Sequence, residues 1–290
     1  MTFSLSFEFF PPHTEQGQAK LLETAAHLKK FNPKFFSVTF GAGGTTQSKT
    51  YETVALLLEK HGIPVAPHLS CIGATKENIK KILHAYETIG VKRLVALRGD
   101  LPSGMMSPGE FQYANELVEY IRVISGNTFR IEVACYPEYH PQAFNAQSDF
   151  KNFVRKVKAG ANSAITQYFY HPEAYFHFVD ICQKAGIHNP IVPGIMPILN
   201  HRSLALFSDR CGADLPRWIR KELECLEQNS EALFDFGVDV VSRLCDELIQ
   251  GGAPGLHFYT LNQHKASIKI CQNLKLIAHH VTSNIHEYSH

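Results

Sequence analysis

The stretch DFKNFVRKVKAGANSAITQYF, residues 149–169, joins a helix pattern to a strand pattern through a glycine. Phe150, Phe153 and Val157 recur at spacings of three, four and seven, which places them on one face of a helix. SAITQYF is rich in β-branched and aromatic residues and is typical of a strand. Gly160 suits the left-handed position that ends many helices. One helix followed by one strand is therefore the unit from which the fold is built.

The same unit recurs along the chain, because short β-rich runs alternate with longer amphipathic stretches. Eight runs are found, at 3–9, 35–40, 64–70, 93–99, 130–136, 163–169, 190–196 and 255–261. Glycine again ends the helix pattern at Gly62, Gly90, Gly186 and Gly252. Such alternation calls for parallel strands, and eight units can close on themselves. The predicted fold is α/β, a single (β/α)8 TIM barrel with extra helices before the last strand, and an open doubly wound sheet is the alternative.

A glycine-rich stretch, GAGGTT at 41–46, follows the second run and resembles a dinucleotide fingerprint. The fingerprint requires glycine at its sixth position, where Thr46 stands. The stretch therefore favours a barrel loop over a Rossmann phosphate site.

Composition and charge narrow the class of protein. Hydrophobic residues make up 44% and charged residues 19% of the 290 residues, as in folded domains. A net charge of +1 without a long basic run argues against a nucleic-acid partner. Without an apolar run long enough to span a bilayer or a signal segment, we expect no membrane partner and a cytoplasmic protein. Seven scattered cysteines and histidines without metal-binding spacing predict neither disulfides nor a metal site.

Glu8 is a carboxylate inside the first apolar run. Strand side chains alternate, so Leu5, Phe7 and Phe9 share one face while Ser6 and Glu8 share the other. If the apolar face meets the helices, Glu8 points into the barrel near the end where barrel active sites lie. We expect the flanking phenylalanines to exclude water and raise its pKa, which would keep a proton on the carboxyl near neutral pH. Glu8 is therefore predicted to be a general acid.

Polar residues also end most of the other runs, and parallel strands bring these ends to one rim. They are Thr39, His68, the Arg98–Gly99–Asp100 corner, Tyr136 with Glu138 and His140, Gln167, and Tyr259 with Asn262. No lysine ends a strand and no nucleophile elbow is present, which disfavours Schiff-base and covalent acyl chemistry. Asp100, beside Arg98, is expected to stay charged. Arg98, Arg155 and Lys156 suit phosphate, so an organic cofactor that carries the reaction fits this set.

Eight motifs resemble the bacterial 5,10-methylenetetrahydrofolate reductases in order and spacing. They are SFEFFPP, SVTFGAGG, APHLSCI, VALRGD, ACYPEYHP, ITQYF, PGIMPI and LHFYTLN. The resemblance implies a flavin-binding catalytic barrel over residues 1–280, and the polar residues 281–290, which lack an apolar pattern, are expected to form a tail. It also implies a ping-pong enzyme of methionine biosynthesis that reduces 5,10-methylenetetrahydrofolate to 5-methyltetrahydrofolate, with hydride passing from NADH or NADPH through FAD.

The resemblance also implies roles for individual residues. Glu8 would protonate the folate nitrogen that leaves as the five-membered ring opens, and Asp100 would stabilise the resulting cation. Substrate contacts are implied at Thr39, Asp100, Gln167, Ser203, Phe207 and Gln263. FAD contacts are implied at Phe40, Ala42, His68, Arg98, Gly99, Asp100, Tyr113, Ala114, Tyr136, His140, Ala143, Asp149, Asn152, Arg155 and Lys156.

Three positions depart from the family pattern. Phe40 stands where tyrosine is often found, Ser203 where glutamine is common, and Gln263 where arginine is frequent. Loss of that arginine removes a charge-assisted partner for a carboxylate. The resemblance also leads us to expect a homo-oligomer. Two alternatives stay open at this stage, another FAD-dependent TIM-barrel oxidoreductase and a non-enzymatic flavin- or folate-binding protein.

Overall fold

Parallel strands alternate with helices along the chain. The structure, a computed structural model, describes residues 3–40, 44–100 and 109–276, with residues 44–47 described through their backbone alone. The predicted tail at 281–290 lies outside this part. The strands are β1 Ser4–Phe9, β2 Phe35–Val38, β3 Val65–Ser70, β4 Arg93–Leu97, β5 Arg130–Cys135, β6 Ser163–Thr166, β7 Ile191–Val192, β8 Gly194–Ile195 and β9 Gly255–Tyr259. The helices are α1 Glu15–Lys29, α2 Gly44–His61, α3 Lys76–Thr88, α4 Ala114–Ser125, α5 Ala146–Lys158, α6 Pro172–Lys184, α7 His201–Cys211, α8 Arg217–Cys225, α9 Ser230–Gln250 and α10 Lys265–Asn273.

The strands form one nearly closed barrel. Their order is β7-β6-β5-β4-β3-β2-β1-β9-β8, and every hydrogen-bonded pair of strands is parallel. β7 and β8 stand at opposite ends of this order, yet only Pro193 separates them in the sequence. The sheet therefore returns on itself. The predicted (β/α)8 barrel is confirmed, the open sheet is excluded, and α7, α8 and α9 are the extra helices before the last strand.

The predicted seventh strand, 190–196, is wrong as a single strand. It forms β7, which pairs with β6, and β8, which pairs with β9. Pro193 between them has no N–H to donate to a ladder. Its carbonyl oxygen still accepts a hydrogen bond from the His257 amide at 3.0 Å. One proline thus divides the run and transfers its pairing from one neighbouring strand to the other.

Several helices begin with a capping side chain or end at a glycine. Side chains of Thr14, Thr75 and Asn145 accept hydrogen bonds from backbone N–H groups in the first turns of α1, α3 and α5. The five glycines predicted to end helices all have positive φ, between +64° and +114°. This is the left-handed region that glycine enters without a steric cost, so the helix-ending prediction is confirmed.

The first strand separates two cores. Phe7 and Phe9 are buried in the large cluster between the sheet and the helices, whereas Ser6 and Glu8 lie on the opposite, interior face, as predicted. Inside the barrel a second, smaller apolar cluster forms. It consists of Phe35, Ala66, Val95 and Ile165. The alternation of strand side chains therefore assigns one face of each strand to the helices and the other to the barrel interior.

The end of the barrel where the strands begin is filled by a charge cluster around Glu132, which is 2% exposed. Its carboxylate pairs with Arg93 and accepts a hydrogen bond from the Ser163 hydroxyl. Arg130 Nε lies 3.3 Å from the same carboxylate, and the Arg93 guanidinium lies 4.5 Å from the centroid of the Phe35 ring. Charged groups fill this end, so ligands have to enter at the other.

No helix within the three described ranges is long and apolar enough to cross a bilayer.

Candidate active site

The end of the barrel where the strands finish opens into a cavity of about 700 Å³. Its lining includes five residues predicted as catalytic or substrate contacts, namely Glu8, Thr39, Asp100, Gln167 and Phe207. It also includes five further residues that are predicted, like Asp100, as cofactor contacts, namely Phe40, His68, Gly99, Tyr136 and His140. The carboxyl ends of barrel strands form such a site because the loops that follow them meet there.

Other predicted contacts do not line this cavity. They are Arg98, Tyr113, Ala114, Ala143, Asp149, Asn152, Arg155, Lys156, Ser203 and Gln263. Ser203 and Gln263, the two substrate positions among them, are both exposed. Ala42 lies outside the described residues. These positions stay predictions, and the cavity is lined by strand-end residues together with residues of α7.

Glu8 sits between two histidines that face it from neighbouring strands. Its Oε2 lies 3.2 Å from His68 Nε2 on β3 and 3.5 Å from His257 Nε2 on β9. The side chains are 17% exposed for Glu8, 9% for His68 and 0% for His257. On the far side of the His257 ring, Nδ1 lies 2.7 Å from Ser6 Oγ, which orients the imidazole. One carboxylate and two imidazoles thus form a nearly dry unit.

The pKa of Glu8 differs from the sequence prediction. Burial does raise this pKa, but the charge of His68 and the contacts of both histidines outweigh burial and lower it to about 2. The prediction of a carboxyl that keeps its own proton is therefore wrong, because it counted the phenylalanines and omitted the two histidines. Sequence reasoning missed His257, although alternation along β9 places it on the same face as Tyr259. Glu8 is therefore the charged carboxylate of this unit, held beside the two imidazoles.

The corner after β4 presents Asp100 to the cavity. Gly99 there has φ of +82°, and a Cβ at this position would lie 1.9 Å from Ser70 Oγ. Ser70 Oγ donates to the Arg98 carbonyl oxygen at 2.8 Å, and Arg98 Nη2 donates to Gln142 Oε1 at 2.6 Å. Arg98 therefore fastens the corner to the loop after β5. Only glycine fits position 99, and this fit sets where Asp100 stands.

Tyr136 and His140 form a wall of neutral groups. Their rings lie 4.6 Å apart between centroids, and burial raises the pKa of Tyr136 and lowers that of His140. His140 Nδ1 accepts a hydrogen bond from the Gln142 amide at 3.0 Å, which leaves Nε2 as the N–H of the neutral ring. Asp149 accepts from the His140 amide at 3.0 Å. Asp149 thus supports His140 in this arrangement.

The two neighbouring cations of α5, Arg155 and Lys156, point in different directions. Lys156 Nζ donates to the Ala134 carbonyl oxygen at 2.5 Å, and burial lowers its pKa. Arg155 is exposed, and its Nη1 donates to Asn152 Oδ1 at 2.9 Å. Lys156 therefore turns inward against β5, whereas Arg155 and Asn152 stand on the outer surface of the helix.

Sequence comparison decides the family. A profile of the family described as methylenetetrahydrofolate reductase matches residues 1–275. The chain belongs to the methylenetetrahydrofolate reductase family. The 5,10-methylenetetrahydrofolate reductase of Salmonella typhimurium is 39% identical over 93% of this chain and 90% of that protein. The protein of the same name from Escherichia coli is 38% identical over the same shares.

One longer relative and one solved structure are also similar to this chain. A protein of Arabidopsis thaliana named methylenetetrahydrofolate reductase (NADH) 1 is 38% identical over 94% of this chain and 48% of its own length. Among solved structures, an uncharacterized protein from Clostridium thermocellum, which binds two copies of 5-methyl-5,6,7,8-tetrahydrofolic acid, has a TM-score of 0.64. Its sequence is 13% identical, and the match covers 95% of this chain and 95% of that chain. At this identity the likeness supports the fold alone.

Two side chains complete the site of this methylenetetrahydrofolate reductase family member. Gln167 Oε1 accepts a hydrogen bond from the Tyr168 amide at 3.0 Å, which leaves its Nε2 hydrogens for a ligand. Tyr259 donates its hydroxyl hydrogen to the Thr166 carbonyl oxygen at 2.6 Å and packs against Gly194, where a Cβ would lie 2.6 Å from the ring. Tyr259 is thereby held rigidly in the cavity wall.

Among the described residues no group of histidine, cysteine or carboxylate side chains is arranged to hold a metal ion.

Proposed function

We propose that this chain reduces 5,10-methylenetetrahydrofolate to 5-methyltetrahydrofolate, with NADH as the electron donor and FAD as the bound flavin, in a ping-pong reaction. The observation that carries the proposal is the Glu8 carboxylate between His68 and His257, in a cavity shared with Asp100 and Gln167. Family membership supports the same reaction.

The residues of the cavity fit a flavin. Phe40 and Tyr136 offer aromatic surface, and His140 offers a neutral N–H. Gly99 brings the backbone of the corner to the cavity wall, and Ser70 packs against it on the side where a Cβ would lie. When bound, FAD supplies the ring that accepts hydride from the nicotinamide and returns hydride to the folate. The residues proposed to hold it are those named above for FAD, with Phe40, His68, Gly99, Tyr136 and His140 as the cavity-lining members.

Glu8 and its histidines supply the proton that the folate step requires. Ring opening breaks the bond between the bridging carbon and one folate nitrogen, so the nitrogen takes a proton and the carbon becomes an iminium cation. Because the pKa of Glu8 is lowered to about 2, Glu8 starts as a carboxylate and relays the proton to the nitrogen rather than storing it. Asp100 stabilises the cation from the rim of the cavity. Hydride addition at the carbon then gives the methyl group.

The nicotinamide cofactor uses the same cavity before the folate. Thr39 and Gln167 line it, and the free N–H hydrogens of Gln167 suit the carboxamide of a nicotinamide or the carbonyl of a pterin. NADH is proposed over NADPH because the plant relative is named for NADH. We also expect the protein to be a homo-oligomer in the cytoplasm. Size-exclusion chromatography with light scattering would measure the number of subunits.

Separate half-reactions of the purified holoenzyme test this function. Under anaerobic conditions NADH should bleach the flavin absorbance faster than NADPH, and 5,10-methylenetetrahydrofolate should then restore it. Bleaching by a nicotinamide cofactor without restoration by the folate would indicate a different flavin oxidoreductase. A flavin that neither nucleotide bleaches would indicate a binding protein. Both results contradict the proposal.

A further inference from the structure

The wall of the cavity formed by α7 carries one positive charge. Phe207 and Arg210 both line the cavity from this helix. Their spacing of three residues puts them on the same face, about one turn apart. Among the described lining residues, Arg210 is the single arginine or lysine, while Glu8 and Asp100 supply negative charge.

The Arg210 side chain is exposed and makes no hydrogen bond or ion pair with any other residue in the described part of the chain. The nearest carboxylate in sequence, Asp209, instead faces Arg220 at 4.0 Å. A guanidinium presents a planar fork of N–H donors that matches the oxygens of a carboxylate. Arg210 is therefore available to an anionic group of a ligand.

The other positions considered for the folate tail do not offer this charge. Gln263 is neutral and exposed, and neither Gln263 nor Ser203 lines the cavity. A folate carries its reacting ring at one end, an aromatic linker in the middle and glutamate carboxylates at the other end. A carboxylate at the far end is repelled by Glu8 and Asp100 and attracted by Arg210. Phe207 is placed one turn before Arg210, where the linker would pack.

We propose that Arg210 is a specificity-determining residue that binds a carboxylate of the folate glutamate. The ligand then lies along α7, with its reacting ring toward Glu8 and its charged end at Arg210. This inference rests on the proposed function for the identity of the substrate. It concerns the affinity and orientation of the folate, and assigns Arg210 no part in the proton step.

Equilibrium binding to the oxidised holoenzyme tests the inference without turnover. The ligands are 5-methyltetrahydrofolate and 5-methyltetrahydropteroate, which lacks the glutamate. Arg210→Gln should weaken binding of the first about ten-fold, near the lower end for a charged hydrogen bond because the side chain is exposed, and should leave the second unchanged. Arg210→Lys keeps the charge but loses the fork, so it should lie between Arg210→Gln and the unmodified protein.

The matched control is Arg202→Gln, which removes the same charge from the same helix. Arg202 pairs with Glu227 and does not line the cavity, so neither ligand should change its affinity. Equal flavin content and circular dichroism in all variants establish that the fold is intact. Arg210→Lys provides the same comparison if Arg210→Gln does not fold.

Three results would overturn the inference. These are unchanged affinity for 5-methyltetrahydrofolate in Arg210→Gln, an equal loss for both ligands, and a loss confined to NADH, which would assign Arg210 to a dinucleotide phosphate. If glutamate-dependent binding holds while methylenetetrahydrofolate fails to reoxidise the flavin, the proposed reaction fails and the role of Arg210 stands.

Discussion

At the scale of single residues, the charge state of Glu8 is decided by its partners rather than by its burial. A carboxyl surrounded by apolar groups holds its proton, whereas a carboxyl beside cations loses it. Here His68 and His257 both lie within 3.5 Å of one oxygen, and the pKa is about 2. In the proposed reaction, the acid is therefore this three-residue unit rather than a protonated Glu8 alone.

The lowered pKa of Glu8 predicts a specific dependence of stability on pH. The pKa falls from 4.5 to about 2 on folding, so the stabilisation is complete above the first value and is lost as pH falls toward the second. Between about pH 5 and pH 2, the free energy of unfolding should therefore fall by up to about 3 kcal/mol more in the natural chain than in Glu8→Gln. Urea unfolding at a series of pH values measures both. Parallel curves would mean that the histidines do not stabilise the Glu8 carboxylate.

At the scale of elements, the ends of the strands carry the site and their backbone conformation positions it. Gly99 follows β4 and Gly90 precedes it, with φ of +82° and +83°. A Cβ at Gly99 would meet Ser70 Oγ at 1.9 Å, whereas nothing lies within 4 Å of a Cβ at Gly90. An alanine would therefore meet the same unfavourable φ at both positions, but it would collide with a neighbouring side chain only at position 99.

This pair of glycines separates strain from collision. Gly90→Ala should cost about 1 kcal/mol of unfolding free energy from the positive φ alone. Gly99→Ala should cost about 1–3 kcal/mol more because of the collision, and it should also weaken flavin binding because it displaces the Asp100 corner. Chemical unfolding and flavin titration measure the two effects. Equal costs for the two variants would contradict the tight fit of the corner.

Elements with a local signal could be predicted from the sequence, and those set by distant contacts could not. Alternation in β1 predicted that Glu8 faces the barrel interior, and glycines such as Gly160 predicted the helix ends. The division of the seventh run at Pro193 depends on which strands stand on either side of it. The inward turn of Lys156 toward Ala134 likewise depends on packing between α5 and β5. For Glu8, position was predictable because it is local, but its pKa was not, because His257 lies 249 residues away.

At the scale of the whole molecule, the barrel has a packed end and an open end. The cluster around Glu132 fills the end where strands begin, and the cavity of about 700 Å³ occupies the end where they finish. Residues from β1, β3 and β9 meet at Glu8, although they are far apart in the chain. The consecutive strands β3, β2, β1 and β9 bring these residues together, and closure of the barrel encloses the cavity that Glu8 and His68 line.

The central claim is that Glu8 conveys a proton in the folate half-reaction alone, and stopped-flow comparison of Glu8→Gln with the unmodified chain tests it most directly. Glu59→Gln, at an exposed glutamate on α2, is the control. Flavin reduction by NADH should stay within about two-fold in Glu8→Gln, while reoxidation by 5,10-methylenetetrahydrofolate should slow by at least about 100-fold. An equal loss in both half-reactions, or a folate half-reaction at its normal rate, would contradict the account.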